Sequence, residues 1–111
     1  MDTIPTPIKN FLDAVNRHDP DALSALTADA TVDDWGKKLT GITEITAWSN
    51  KEFAGSNPTL TITDVKNDGD ASQGGSVTIT GDWQSDWANG PSAFTFTLDG
   101  DKISSMTIRK G

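Results

Sequence analysis

The spacing of apolar residues changes once along the chain. Near the start it follows a helical face, with Ile8, Phe11, Leu12 and Val15 at i, i+3, i+4 and i+7. Pro5 and Pro7 stand before or within the first turn, where a missing amide hydrogen is tolerated. Asp19-Pro20 predicts a restart, with Asp19 capping free amides and Pro20 at the first helical position. A short second helix is expected there, with Leu23 and Leu26 facing inward. Ala30 to Asp34 predicts a brief strand. Gly41 breaks the chain, and Ile42, Ile45 and Trp48 predict a third helix ending before Gly55.

Beyond Gly55 the period is two. Leu60 and Ile62 alternate with threonines to about Lys66. Val77, Ile79, Gly81 and Trp83 alternate with Ser76, Thr78, Thr80 and Asp82, and Phe94, Phe96 and Leu98 with Thr95 and Thr97. Ile103, Met106 and Ile108 mark the last strand. Asn67-Asp68-Gly69, Asn89-Gly90-Pro91 and Asp99-Gly100 are the predicted turns. Strict alternation gives a sheet with one apolar and one polar face. The prediction is a single α+β domain over residues 1–111, with three N-terminal helices packed on a curved, mostly antiparallel β-sheet. A curled sheet closed by helices leaves room for a ligand cavity.

Composition narrows the chemistry. Acids outnumber bases 16 to 9, a net charge of -7, so neither nucleic acid nor an anionic membrane is an expected partner. The absence of cysteine excludes disulfides, thiolate metal sites and cysteine nucleophiles. There is one histidine, His18, in the connection after the first helix, where a structural or solvent-exposed role is expected. No metal and no cofactor are expected: ligands do not cluster, and Asp64, Asp68 and Asp70 lack the spacing of a calcium loop. Gly55 and Gly74-Gly75 form no phosphate loop. No apolar run reaches bilayer-spanning length, and the Met-Asp-Thr-Ile-Pro start lacks a signal core, which predicts a cytoplasmic protein.

The stretch Phe11-Leu12-Asp13-Ala14-Val15-Asn16-Arg17-His18-Asp19-Pro20-Asp21-Ala22-Leu23 resembles the opening of the NTF2-like, or SnoaL-like, superfamily. Ala28-Asp29-Ala30-Thr31-Val32-Asp33-Asp34, Gly41-Ile42-Thr43-Glu44-Ile45 and Leu98-Asp99-Gly100-Asp101-Lys102-Ile103 continue the resemblance in order, over nearly the whole chain. It implies an NTF2-like cone. It leaves function open among isomerases, cyclases, dehydratases, epoxide hydrolases and non-enzymatic binding or dimerising modules.

Within that superfamily, Ala30-Thr31-Val32-Asp33-Asp34 is most similar to the ketosteroid isomerases, which implies that Asp34 stands where those enzymes carry their general base. Alternation agrees: Val32 and Asp34 share a strand face, so an inward Val32 brings Asp34 inward. A desolvated carboxylate holds a proton more readily and becomes a useful base near neutral pH. Asp33 is expected to point outward as a solvated charge. The resemblance also places Phe11 at the family's oxyanion tyrosine and Phe94 at its protonated aspartate. Neither ring donates a hydrogen bond, which argues against the familiar enolate mechanism. Arg17 and Arg109 do not suit a limonene-type epoxide hydrolase, and the tyrosines and paired histidines of a scytalone-type dehydratase are missing. A cyclase needs chiefly an acid/base group, for which Asp34 or Asp82 would serve.

Four tryptophans is a high count for this length. Core packing is the default for Trp48 and Trp83. Trp35 and Trp87 lie near strand ends, suited to a pocket mouth, a dimer contact or plain packing. With Trp35, Trp48 and Trp83, the expected pocket lining is Phe11, Val15, Val32 and Phe53 from the first half and Phe94, Phe96 and Met106 from the second. Phe11, Phe53, Phe94, Phe96 and Met106 equally fit a filled core, and the two readings differ only in whether the space between them is empty. Two functions follow. One is a pocket for a small hydrophobic molecule, with Asp34 as proton acceptor if the domain is a cofactor-independent isomerase, cyclase or dehydratase. The other is a non-catalytic module that forms a homodimer through the outer sheet face, across Thr61, Thr63, Thr78, Thr80, Thr95 and Thr97.

Overall fold

The computed structural model describes residues 2–19 and 21–111. Helix α1 (Thr6–Asn16) buries Ile8, Phe11, Leu12, Ala14 and Val15 along one face, as its period predicts. His18 ends it by taking a left-handed φ of 58°. The amides of His18 and Asp19 then close on the carbonyls of Val15 and Ala14, both at 3.0 Å. The His18 ring lies 2.8 Å from the Pro58 carbonyl, so it ties the end of α1 to the start of β3 (Thr59–Asp68).

The expected second helix does not form. Ala22–Ala25 make one 3-10 turn, and Leu26 already opens β1 (Leu26–Asp34), a strand longer than the period suggested. Leu26 pairs with Ile103 of β6 (Lys102–Lys110), and a ladder bond to a long neighbour outweighs a short helical period. Pro20, expected at the first position of that helix, lies outside the described residues. Among the described residues there are therefore two α-helices, α1 and α2 (Ile42–Glu52), and not three. Strand β2 (Lys37–Thr40) was not foreseen, because Leu39 is its only buried residue. The turn into it, Trp35-Gly36, has φ of 54° and 95°, the positive values that a two-residue type I′ hairpin demands.

Strands β4 (Ser76–Gln84) and β5 (Asn89–Asp99) complete one six-stranded sheet in the order β2-β1-β6-β5-β4-β3. Its neighbours are antiparallel except β1 and β6, which run parallel. Asn89-Gly90-Pro91 is not the turn expected but the opening of β5, paired with Gln84, Trp83 and Asp82. The turn itself is residues 85–88.

Register makes the inner face a set of rows. One runs Val32, Met106, Phe96, Val77, and the next Asp34, Ile108, Phe94, Ile79, Val65. Helix α1 covers the first, with Phe11 edge-on to Phe96 at 6.0 Å. A bulge between Ile62 and Asp64 bends β3, and Gly81 opposite it has no room for a side chain: a Cβ there would lie 2.5 Å from the Thr61 carbonyl. The bulge also changes the outer face. Past it, Asp64 and Lys66 stand in register with Thr80 and Thr78, where an unbroken threonine face was expected.

Candidate functional site

Asp34 is the last residue of β1 and shares the inner face with Val32, as alternation predicts. From α2, Trp48 donates its indole N–H to Asp34 Oδ2 at 3.0 Å. The carboxylate is half-buried and forms no ion pair among the described residues. Next to it, Phe53 stacks on Trp48 at 5.0 Å and on Trp83 at 5.1 Å, with Phe94 tilted against Trp83 at 5.6 Å. These rings bound a cavity of about 500 Å³. Trp35, Trp87, Glu52, Pro91, Ser92, Ile108 and Lys110 complete most of the remaining wall.

Trp35 and Trp87 are 59% and 61% exposed, and they are the only exposed large hydrophobic residues among those described. Both belong to this cavity. Trp35 moreover occupies a left-handed turn position that a bulky residue rarely adopts. The Lys51 ammonium lies 5.6 Å from the Trp87 ring centroid.

Asp33 holds the Trp35 turn. Its two oxygens accept from Arg109 Nη1 and Nη2, both at 3.0 Å, and Oδ1 also accepts from the Gly36 amide at 2.8 Å. The Arg109 guanidinium, aided by that amide, lowers its carboxyl below the ordinary 3.8. Asp33 thus faces outward as expected, yet is a structural latch and not a solvated charge. Lys37 on β2 reaches Glu52 at the end of α2 at 3.2 Å and pins the hairpin to the helix.

Of the expected lining residues, Trp35, Trp48, Phe53, Trp83 and Phe94 stand in this wall, together with Asp34, the expected proton acceptor. Phe11, Val15, Val32, Phe96 and Met106 do not. All are in the core with 1% exposure or less: Phe11 and Val15 are on the buried face of α1, and Val32, Phe96 and Met106 on the sheet row beneath it. Phe11, at the position where the resemblance implies a tyrosine, is closed off in that core.

The sequence matches the SnoaL-like domain family over residues 8–106. The chain belongs to this family. No match was found among curated proteins. Solved structures place the SnoaL-like domain firmly in the NTF2-like fold. A candidate polyketide cyclase from Sinorhizobium meliloti aligns with a TM-score of 0.81 at 20% identity, over 96% of this chain and 95% of that one. The orange carotenoid protein of Anabaena (Nostoc), with canthaxanthin bound, gives 0.82 at 20% identity, over 96% of this chain and 36% of that longer one. An NTF2-like protein of unknown function from Cytophaga hutchinsonii gives 0.76 at 14% identity, over 98% and 93%. At these identities the likeness is one of fold.

No helix among the described residues of the SnoaL-like domain is long and apolar enough to cross a membrane. No group of three or more potential metal-ligating side chains occurs among them either. Sequence reasoning missed the wall from Ala88 to Ser92, because Asn89-Gly90-Pro91 reads as a turn. It also missed Glu52, Ile108 and Lys110. The periodicity did carry a signal for Ile108, which follows Met106 on the inner face one row closer to Asp34.

Proposed function

We propose that this SnoaL-like domain binds a small, largely apolar molecule in the aromatic cavity, with Asp34 as its polar anchor. The observation that carries this reading is the coincidence of three features at one end of the sheet. They are an inward carboxylate, a stack of rings beside it, and the two exposed tryptophans of the molecule. Exposed aromatic surface costs hydration free energy, and its concentration at one concavity marks a contact surface.

The donor inventory favours binding over enolate chemistry. Trp48 spends its indole N–H on Asp34, and Trp83 spends its own on Ser85 Oγ at 3.2 Å. Phe94, in the wall, has none to offer. A developing oxyanion beside Asp34 would find both stacked indoles engaged, and the donors that supply much of the stabilisation in such reactions would have to come from elsewhere in the wall, such as Lys110. Asp34 retains the capacity to accept a proton from a bound ligand, so a cofactor-free proton transfer that forms little oxyanion charge is compatible with the site.

Tryptophan fluorescence and indole N–H shifts, measured against a panel of steroids, terpenes and aromatic polyketides, test the reading. Saturable changes at Trp35, Trp48, Trp83 and Trp87 support it. No response to any member of the panel overturns it. The second reading, a homodimer through the outer sheet face, draws on a row that crosses all six strands: Lys66, Thr78, Thr95, Thr107, Asp33, Lys38. Its centre is uncharged, and the Thr78 and Thr95 hydroxyls are already bonded to each other at 3.1 Å. A dimer in sedimentation that Thr95→Arg dissociates would support it, and a monomer at micromolar concentration removes it.

A further inference from the structure

We infer that the cavity is selective for an organic cation, an alkylated ammonium group carried on an apolar body; this rests on the cavity being a binding site. The chemistry lies in the pairing of aromatic faces with one uncommitted negative charge. Aromatic rings present negative faces, and a cluster of them attracts a cation more strongly than it attracts a neutral group of the same shape. Trp35, Trp48, Trp83 and Trp87 border one space, and the Phe53 ring beside them is already stacked on Trp48 and Trp83.

The charges in the wall are Asp34, Glu52 and Lys110. They are not equivalent. Glu52 is engaged by Lys37 at 3.2 Å. Asp34 has only a neutral donor, the Trp48 indole, and one of its oxygens accepts no hydrogen bond among the described residues. Arg109 senses the Asp34 charge, but its guanidinium is held by both oxygens of Asp33 on the outer face. A half-buried carboxylate with a neutral partner gains from an incoming cation, which brings the charge that its surroundings omit. Lys51 over Trp87 shows the same preference at the rim, met there by the chain itself. The net charge of -7 would draw a cation toward the molecule and repel an anion.

Three soluble probes of nearly one shape isolate the charge: choline, the neutral 3,3-dimethylbutan-1-ol, and 3,3-dimethylbutanoate. Binding is read by tryptophan fluorescence and by the four indole N–H signals. Choline is expected to bind about tenfold more tightly than the alcohol, and the anion more weakly than either. In Asp34→Asn, which keeps an acceptor for Trp48, choline loses more affinity than the alcohol does, and most of that preference disappears. In Trp87→Leu, an exposed position that folding tolerates, choline weakens more than the alcohol does. Equal or tighter binding of the alcohol overturns the cation preference and leaves the cavity as a neutral apolar site. Tightest binding of the anion overturns it in favour of Lys110. If none of the three binds, the cation inference falls. The steroid, terpene and polyketide panel then decides separately whether the cavity binds at all.

Discussion

The inner face of the sheet has two ends that share one alternation and differ in what lies over them. Under α1, Val32, Met106 and Phe96 of one row are buried to 1% exposure or less, with Phe96 against the Phe11 ring. One row along, Asp34, Ile108 and Phe94 border an open cavity, with Trp48 and Phe53 beside them. The strands do the same thing at both ends. The roof differs: α1 presents branched and aromatic side chains directly to the sheet, whereas α2 presents Trp48 to a carboxylate at the sheet's edge. A core and a binding site are thus two outcomes of one pattern, separated by the helix that covers it.

The sharpest break in this comparison is volume. Phe96 has no exposure and contacts the ring of Phe11. Phe96→Ala should cost about 3–5 kcal/mol in urea unfolding, since the filled end cannot collapse around the gap. Trp87→Ala removes a larger side chain from the open end and should stay within about 0.5 kcal/mol. A Phe96→Ala protein that unfolds near the wild-type midpoint would mean that the α1 end is loosely packed, and the contrast would fail.

The next effect concerns the polar contact that ties α2 to β1 at the cavity. Asp34→Ala strips the Trp48 indole of its acceptor in a partly dry site and should cost about 1–2 kcal/mol. Asp34→Asn keeps an oxygen in place and should cost clearly less. If both variants lose the same amount, the hydrogen bond is not what the carboxylate contributes to stability.

How much of this was legible in the sequence follows from the same physics. The strands β3 to β6 and the inward aim of Asp34 were readable, because a period of two leaves few alternatives. The stretch from Ala22 to Leu26 was misread as helical, because pairing between β1 and β6 is a long-range contact that no local pattern reveals. Phe11, Val15, Val32, Phe96 and Met106 were assigned to a pocket for a similar reason: alternation says which face a residue takes, not which helix covers it. Asn89-Gly90-Pro91 spells a turn locally, yet Trp83 and Asp82 supply strand partners that hold it extended. Nothing local marks Glu52 or Lys110 as cavity residues, since each is brought there by the end of another element.

A smaller effect, of opposite sign, tests whether the mouth sacrifices stability for exposure. Trp35 sits at a positive φ that asparagine adopts with little strain. Trp35→Asn should raise stability by about 0.5–1 kcal/mol. The same change should lower the affinity for choline. Raised stability with unchanged binding would show that the ring is not part of the site.

The smallest effect lies just outside the cavity, in the latch that holds that turn. Asp33 has its carboxyl lowered from 3.8 by Arg109 and by the Gly36 amide. A group with a depressed folded-state value stabilises the native protein fully above the unfolded value, and that contribution is lost as pH falls through the folded one. The advantage of wild type over Asp33→Asn in urea midpoint should therefore be constant above about pH 5 and fade progressively below about pH 4. Because Arg109 is partly exposed, added salt should shrink the plateau as well. An advantage that persists undiminished to about pH 2 would mean that the Gly36 contact survives protonation and that the ion pair does not hold the turn. The Trp35 indole signal separates these outcomes: it should shift in Asp33→Asn while those of Trp48 and Trp83 stay in place, since the latch governs the mouth and not the stack beneath it.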